Sequence, residues 1–380
     1  MSRTGDVVIV GAGVIGLAIA FELIERGASV RVIDRGEPAG AASWAAAGML
    51  APYTERVRHA ALVRFCAASL QEYPGFIARV AAASGVDAHL RLDGVVHAAF
   101  DGAELESLLR HAQTLAAERV DCEILERSSL LASEPWLGAF VVGGLRIAGE
   151  GCIDNRRLGR ALLAACAARG ARVERSSIVR LECDRRRALG VHTERGFVAA
   201  GAIVNACGAW AGRVDGVPAH CAPPVAPIKG QMIALAAPIG LVRRPTWVPG
   251  AYLVPRDDGR LLIGATVESA GFDERITAAG VHELLHAALA AAPALRDFAI
   301  TESWAGLRPG TPDGLPFLGR TPLEGLLLAT GHYRNGILMA PATARSIADA
   351  VEGRDTGALE AFTLARIGTE EAFGRRITHA

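Results

Sequence analysis

Six residues near the N-terminus constrain this chain more than any others: Gly11-Ala12-Gly13-Val14-Ile15-Gly16, set between the apolar, β-branched run Asp6–Val10 and the helix-compatible run Val14–Glu25. Gly27 ends that helix, Ser29–Ile33 reads as a second strand, and Asp34 closes it 18 residues after Gly16. Strand, glycine turn, helix, strand and terminal acid together specify a βαβ unit that binds a dinucleotide. Gly11 permits the tight turn, Gly13 lets a pyrophosphate approach the backbone, and Gly16 lets the helix pack on the sheet. Val14 and Ile15 open the helix, whose N-terminal end stabilises phosphate charge. Asp34 is suited to accept hydrogen bonds from an adenosine ribose, and its charge disfavours a 2′-phosphate. The fingerprint alone does not separate a flavin from a nicotinamide dinucleotide.

A chain of 380 residues that is 51% hydrophobic and 21% charged has the means to bury one large core or two. Its formal net charge is zero and no basic run stands out, so nucleic acid and anionic membrane surfaces are not indicated. Small ligands are the expected partners. The seven cysteines never form C-x-x-C, which argues against a disulfide framework and a zinc site and makes the cytoplasm the simplest compartment. No metal site is expected. The apolar stretch Val7–Phe21 is broken by glycines at motif spacing, and no segment has the length and apolarity of a membrane span. A homo-oligomer is left open. Lys229 is the only lysine among 40 basic residues, so an arginine is informative here through its surroundings and not through its type.

A second βα unit follows later, with Asp154 as N-cap, Leu158, Leu162, Ala165 and Cys166 on one helix face, and Gly170 as its stop. Strands Arg172–Leu181 and Phe197–Asn205 are expected to extend the first sheet. Elsewhere the texture is antiparallel: Val95–Ala99, Gln231–Ala236, and the hairpin Ala251–Pro255 with Arg260–Gly264, turned by Asp257-Asp258-Gly259. A helix is expected over Thr277–Ala291, then a strand at Leu326–Thr330 and a helix over Asn335–Val351. The expected fold is α/β plus α+β: a Rossmann-like cofactor domain of segments 1–85, 142–222 and 305–380, with a mainly antiparallel substrate domain inserted as 86–141 and 223–304.

After Asp34 comes Ala41-Ala42-Ser43-Trp44-Ala45-Ala46-Ala47-Gly48-Met49-Leu50-Ala51-Pro52, a run of small residues that lets a flat ring lie close to backbone. An alanine-rich helix accounts for its composition equally well. The run resembles the A-S-x-x-A-A-G-M-L segment of the D-amino-acid oxidase and glycine oxidase superfamily. Ser303–Gly314, Gly331–Pro341, Pro227-Ile228-Lys229-Gly230-Gln231 and Tyr252-Leu253-Val254-Pro255 are similar to segments of the same superfamily, so the resemblance spans nearly the whole chain.

What the resemblance implies is an FAD enzyme acting on the carbon–nitrogen bond of a small amino acid. Its cofactor set adds Arg35, Ala42, Ser43, Ala47, Gly48, Met49, Ile178, Gly208 and Trp210, and the loop residues His332, Tyr333, Arg334, Asn335, Gly336, Ile337 and Leu338. For Trp210 core packing is an equal reading. Arg308, inside Trp304-Ala305-Gly306-Leu307-Arg308-Pro309, is assigned the substrate carboxylate, which a guanidinium fork binds by two parallel hydrogen bonds. Tyr252 is assigned the support of that carboxylate, although a strand tyrosine more often packs. Arg334 and Met49 complete the substrate side. The loop from Gly331 opens a helix whose positive end suits the pyrimidine side of a reduced flavin. No cysteine follows Cys221 to tether the cofactor, so FAD is expected to be non-covalent.

The implied reaction passes hydride from Cα to flavin N5 with no catalytic acid or base. It yields an imine, then oxo acid and ammonia, and oxygen is reduced to hydrogen peroxide; a place in thiamine synthesis also follows from the resemblance. Glycine, sarcosine and small D-amino acids are the implied substrates, with Gly250 and Val267 expected to widen the pocket near Tyr252. Rival readings are a D-amino-acid dehydrogenase that reduces a quinone, an NAD-dependent dehydrogenase, and a non-catalytic flavin-binding protein. Lys229 is a candidate point charge beside reduced flavin, an ordinary surface ammonium being the alternative.

Overall fold

In the computed structural model of the chain, residues 6–55, 59–354 and 356–367 are described; residues 1–5 and 368–380 of the expected cofactor segments lie outside them. The N-terminal run folds as strand Val7–Val10, helix Val14–Glu25 and strand Val30–Asp34, the strands paired in parallel with Val7 opposite Val30. A helix this apolar needs cover on every side, and nine of its 12 residues are buried. Gly16 makes its approach possible, because a Cβ there would strike the Gly11 carbonyl.

Ala202–Asn205 pairs with one edge of Val7–Val10 and Leu326–Thr330 with Ala202–Asn205, both in parallel, while Phe317–Arg320 adds an antiparallel edge. Arg172–Arg175 pairs beyond Val30–Asp34 and completes six strands. Period-two alternation assigns the faces. Val7, Ile9, Val30 and Val32 pack under helices Val14–Glu25, Ala60–Ser84, Asn155–Ala168 and Gly336–Val351. Val8, Val10 and Ile33 pack with Leu181, Ala188 and Val191 of a separate three-stranded antiparallel sheet.

That smaller sheet corrects two expected strands. Arg172–Leu181 breaks at Ser176-Ser177, where Arg172–Arg175 ends at the sheet edge and Ile178–Cys183 leaves to pair with Ala188–Thr193. Phe197–Asn205 breaks at Ala200-Gly201: Gly196–Ala199 belongs to the small sheet, and only Ala202–Asn205 rejoins the large one.

The antiparallel texture becomes an eight-stranded sheet, ordered Ile300–Gly310, Ala226–Ala236, Arg260–Gly264, Ala251–Pro255, Thr246–Val248, Val95–Ala99, Gly143–Ile147 and Cys122–Glu126. Gly143–Ile147 pairs with Val95–Ala99 and Cys122–Glu126, and Ile300–Gly310 runs continuously in this sheet. One face is covered by helix Ala278–Ala291, capped by Thr277; the other turns Met232, Ala234, Val254, Leu262 and Trp304 toward Ala45, Ala47 and Cys152.

The final helix carries Pro341, whose missing N–H leaves the Ile337 carbonyl without its helical donor. Helix Ala60–Ser84 supplies a substitute: the Tyr73 hydroxyl donates to Ile337 O at 2.7 Å. Ser69 donates to Leu338 O at 2.7 Å and accepts from Ala342 N–H at 3.2 Å. The first turn of the helix is thereby held from outside, with its N-terminal end at the cleft between the two large sheets.

Candidate functional site

A cavity of about 1020 Å³ lies where Val10, Asp34, Ala206 and Ala329 end or follow the parallel strands, the place where open α/β sheets bind ligands. It stands at the upper end of the roughly 300–1,000 Å³ usual for a ligand pocket. At one end are Gly11, Gly13, Val14, Ile15, Asp34, Arg35, Ile178, Gly208 and Trp210. A Cβ on Gly11, which has φ of 108°, would meet the Ala206 carbonyl, so the turn runs too close to the next strand for another residue. Gly13 is the N-cap of its helix and supplies no side-chain cap, while the Ser43 hydroxyl accepts from Val14 N–H at 2.9 Å. Asp34 accepts from Ala12 N–H at 2.6 Å and Gly36 N–H at 2.7 Å, which ties the glycine turn to the end of the second strand. Trp210 stands beside Arg35, 4.7 Å from the guanidinium.

Ala42, Ser43, Ala47, Gly48 and Met49 line the middle. The small-residue run is a short helix, Ala41–Ala45, and then extended backbone, held by its carbonyls. Asn155 donates to Ser43 O and Trp44 O at 2.8 and 2.9 Å, Trp304 to Ala45 O at 3.0 Å, and buried Arg256 to Ala47 O at 2.8 Å. Small side chains let these donors reach the backbone from behind while the front faces the cavity. Asn155, Arg256 and Trp304 had no signal of their own in the sequence beyond Trp304's place in the arginine motif.

Tyr252, Arg308, His332, Tyr333, Arg334, Gly336 and Ile337 gather at the other end. Arg308 Nη1 donates to the carbonyls of Lys229 at 3.2 Å and Thr266 at 3.0 Å, so the guanidinium is fixed across strand Ala226–Ala236. Gly230 makes room for it: a Cβ there would fall on the guanidinium. Burial lowers the Arg308 pKa, and Arg334 pushes the same way. For Arg334 burial works against the charge, yet Glu55, Tyr333 and Tyr252 hold the pKa above its ordinary value. Burial raises the Tyr252 phenol against the pull of both arginines. His332, driven down to about 3 by burial, is neutral, with Nε2 3.2 Å from the Thr343 hydroxyl. One carboxylate, Glu55, shares this end and carried no sequence signal.

Three expected cofactor residues do not line the cavity. Gly16 acts in packing, Asn335 is the buried N-cap of the final helix, and Leu338 faces the core with its carbonyl on Ser69. Lys229 is a clearer correction. Alternation along its strand turns Gly230 and Met232 to the cavity and Lys229 away, where its side chain, 2% exposed, pairs with Glu268 at 3.3 Å. Gly250 and Val267 are exposed and outside the cavity, so they do not widen it.

Residues 6–350 match the family described as FAD dependent oxidoreductase. The chain belongs to this family. It is 37% identical over 379 residues to a glycine oxidase of Geobacillus kaustophilus, with 99% of each chain covered. The crystal structure of glycine oxidase from that organism matches with a TM-score of 0.91 over 96% of this chain and 99% of that one, at 37% identity. A bifunctional protein ThiO/ThiG of Synechocystis is 38% identical over 359 residues, which are 92% of this chain and 52% of that one. The chain thus spans about half the length of such bifunctional relatives.

As a member of this family the protein is an FAD-dependent oxidoreductase. The residues present fit the cofactor: a glycine turn and a helix start whose N-cap, Gly13, has no side chain at one end of the cavity, an acid at the end of the second strand, a middle walled by alanine, and a second helix start, Gly336 and Ile337, without a capping bond from its own N-cap at the other. No helix among the described residues is long and apolar enough to cross a membrane.

Proposed function

We propose that this protein oxidises glycine or a similarly small amino acid, sarcosine and small D-amino acids included, to the imine and then the oxo acid and ammonia. The single observation that carries the reading is Arg308, braced on two carbonyls in front of Gly230 with Tyr252 beside it, at the end of a dinucleotide cavity remote from Asp34. When bound, FAD supplies the hydride acceptor and passes the electrons to oxygen, giving hydrogen peroxide.

In this reading Arg308 binds the substrate carboxylate through its outward nitrogen pair, and Tyr252 donates its hydroxyl to the same group. Its raised pKa keeps that phenol protonated at neutral pH. Arg334 adds positive charge, Met49 closes the apolar side, and neutral His332 places no second charge on the loop. The positive end of helix Gly336–Val351 would stabilise negative charge on a cofactor held against it. The fixed guanidinium would set how far the carboxylate lies from the hydride acceptor, so that the carbon bonded to it is the one presented, which selects α-amino acids over longer amines.

Glycine oxidase relatives of matching length support this substrate class, and an imine product suits the thiamine-pathway role implied by the resemblance. Non-covalent FAD is supported by Cys207, the cysteine lining the cavity, whose thiol burial pushes up to about 12, far from the thiolate a tether needs. Seven free cysteines favour a reducing compartment such as the cytoplasm. A panel of glycine, sarcosine and D- and L-amino acids, scored by peroxide release, tests the proposal. Activity with quinone and none with oxygen would establish the dehydrogenase rival.

A further inference from the structure

The carboxylate-clamp reading leaves one charged group at the substrate end without a task. Glu55 lines the cavity with Arg308, Arg334 and Tyr252, and its charge acts on all three. Its position is built. Glu150, fully buried, accepts from Tyr53 N–H at 2.6 Å, from Thr54 N–H at 3.1 Å and from the Thr54 hydroxyl, so one inner carboxylate holds the two residues that precede Glu55. The other cavity carboxylates are elsewhere: Asp34 is bonded to the glycine turn, Glu37 is paired with Arg175, and Glu274 sits in the loop of Phe272, which packs on Trp210.

An amino acid in neutral water carries its nitrogen as an ammonium, and that nitrogen needs its lone pair before a C=N bond can form. Arg308 and Arg334 together answer the carboxylate with one positive charge to spare; a carboxylate beside them answers the ammonium. We propose that Glu55 recognises the substrate ammonium and takes its proton, generating the free amine inside the cavity. An N–H bond breaks, an O–H bond forms on Glu55, and no electrons change hands. The lone pair so released becomes the second bond of C=N as the Cα–H pair leaves as hydride to the FAD of the family reaction. The assignment rests on the amino-acid reading of the site and adds a base to a reaction expected to need none.

Burial raises the Glu55 carboxyl above the ordinary range while Arg334 and Arg308 pull it down, which makes it a better proton acceptor than an exposed carboxylate. Among the described residues the ionisable groups whose charge reaches Glu55 come from every element around it: Arg308 and Tyr252 on two strands, Arg334 on the loop before the final helix, Cys66 on helix Ala60–Ser84, and Glu150.

The test uses FAD-saturated wild-type protein, Glu55→Gln and Glu55→Asp. Glycine and acetate, which shares the carboxylate and lacks the amine, are titrated against the absorbance of the bound flavin, and anaerobic flavin reduction by glycine is followed across pH. For Glu55→Gln the expected results are acetate affinity unchanged or tightened, because a negative charge beside the clamp is gone, and a glycine affinity reduced about tenfold or more at neutral pH, the factor for one lost charge-assisted hydrogen bond. Its reduction rate should climb about tenfold per pH unit toward the substrate amine's own pKa, because only free amine then reacts. Glu55→Asp should recover part of the wild-type profile. Equal glycine-to-acetate affinity ratios and matching pH profiles in wild type and Glu55→Gln would overturn the proposal, as would equal loss of both ligands. Wild-type protein that binds acetate but neither binds nor is reduced by any amino acid would refute the amino-acid reading itself, a result distinct from a silent Glu55→Gln.

Discussion

Gly230→Ala is the sharpest probe of the clamp because it leaves Arg308 in the chain and removes only the space it occupies. The register sets Gly230 opposite Gly306 and Ile228 opposite Arg308, so the arginine side chain leans back over residue 230, and an added Cβ falls on the guanidinium. To make room, the guanidinium must leave the Lys229 and Thr266 carbonyls that fix it at 3.2 and 3.0 Å. A fork so displaced keeps its charge and loses one of its two aligned bonds to a carboxylate. A hydrogen bond to a charged group contributes about 1.5–3 kcal/mol, which predicts a KM for glycine raised about 10- to 150-fold. Gly230 is remote from Asp34 and the glycine turn, so FAD content should not change. The assay is peroxide release against glycine concentration, with the flavin-to-protein ratio and thermal unfolding measured on the same preparation. A KM within about twofold of wild type in a folded, FAD-loaded Gly230→Ala variant would refute the clamp geometry.

Arg35, Trp210, Phe272 and Arg213 stack in one ladder, with separations of 4.7, 5.3 and 4.0 Å, and Phe272 comes from the loop on the substrate side. Phe272→Ala should therefore speed FAD release several-fold, each contact contributing about 0.5–1.5 kcal/mol, as read by the rise of free-flavin fluorescence after dilution; an unchanged release rate would contradict it. His332 has a folded pKa near 3 against 6.5 unfolded, so the unfolded chain alone takes up a proton between those values. Its contribution to stability is complete above pH 6.5 and declines by about 1.4 kcal/mol per pH unit as pH falls toward 3. Denaturant unfolding of His332→Asn should show a shallower acid limb than wild type; parallel limbs would disprove the assignment. Lys229→Met should leave oxygen reoxidation of the flavin unaltered, since the ammonium faces Glu268 and not the cavity, and a marked slowing would show that its charge reaches the cofactor after all.

The N-terminal unit was legible because its pattern is local: Gly11, Gly13 and Gly16 recur within six residues, Gly16 packs on the Gly11 carbonyl, and Asp34 closes the same unit, although the strand that crowds Gly11, at Ala206, comes from far along the chain. The small-residue run and the Arg308 motif were legible only through resemblance, since their meaning lies in partners far along the chain. Asn155, Arg256 and Trp304 reach the carbonyls of residues 43–47 across 111 to 259 positions, and no spacing rule connects them. Gly230 lay inside a recognised segment, yet its role depends on the pairing of Ala226–Ala236 with Ile300–Gly310. Lys229 shows the opposite failure. Its rarity drew attention, but which face of a strand meets the cavity is decided by packing, and the alternation assigned it to the wrong side. Glu55 sat in a stretch without periodicity, placed by a buried glutamate 96 residues or so away.

The central claim is that a small amino acid, held by its carboxylate on Arg308, delivers hydride to FAD in this cavity. Anaerobic addition of glycine to the purified, FAD-loaded protein tests it most directly. The account predicts that the yellow flavin absorbance bleaches in wild type, returns on admitting oxygen with release of peroxide, and persists in Arg308→Ala at the same glycine concentration with FAD still bound. Flavin that stays oxidised in wild-type protein with glycine, sarcosine and small D-amino acids alike, or bleaches equally well in Arg308→Ala, would contradict it.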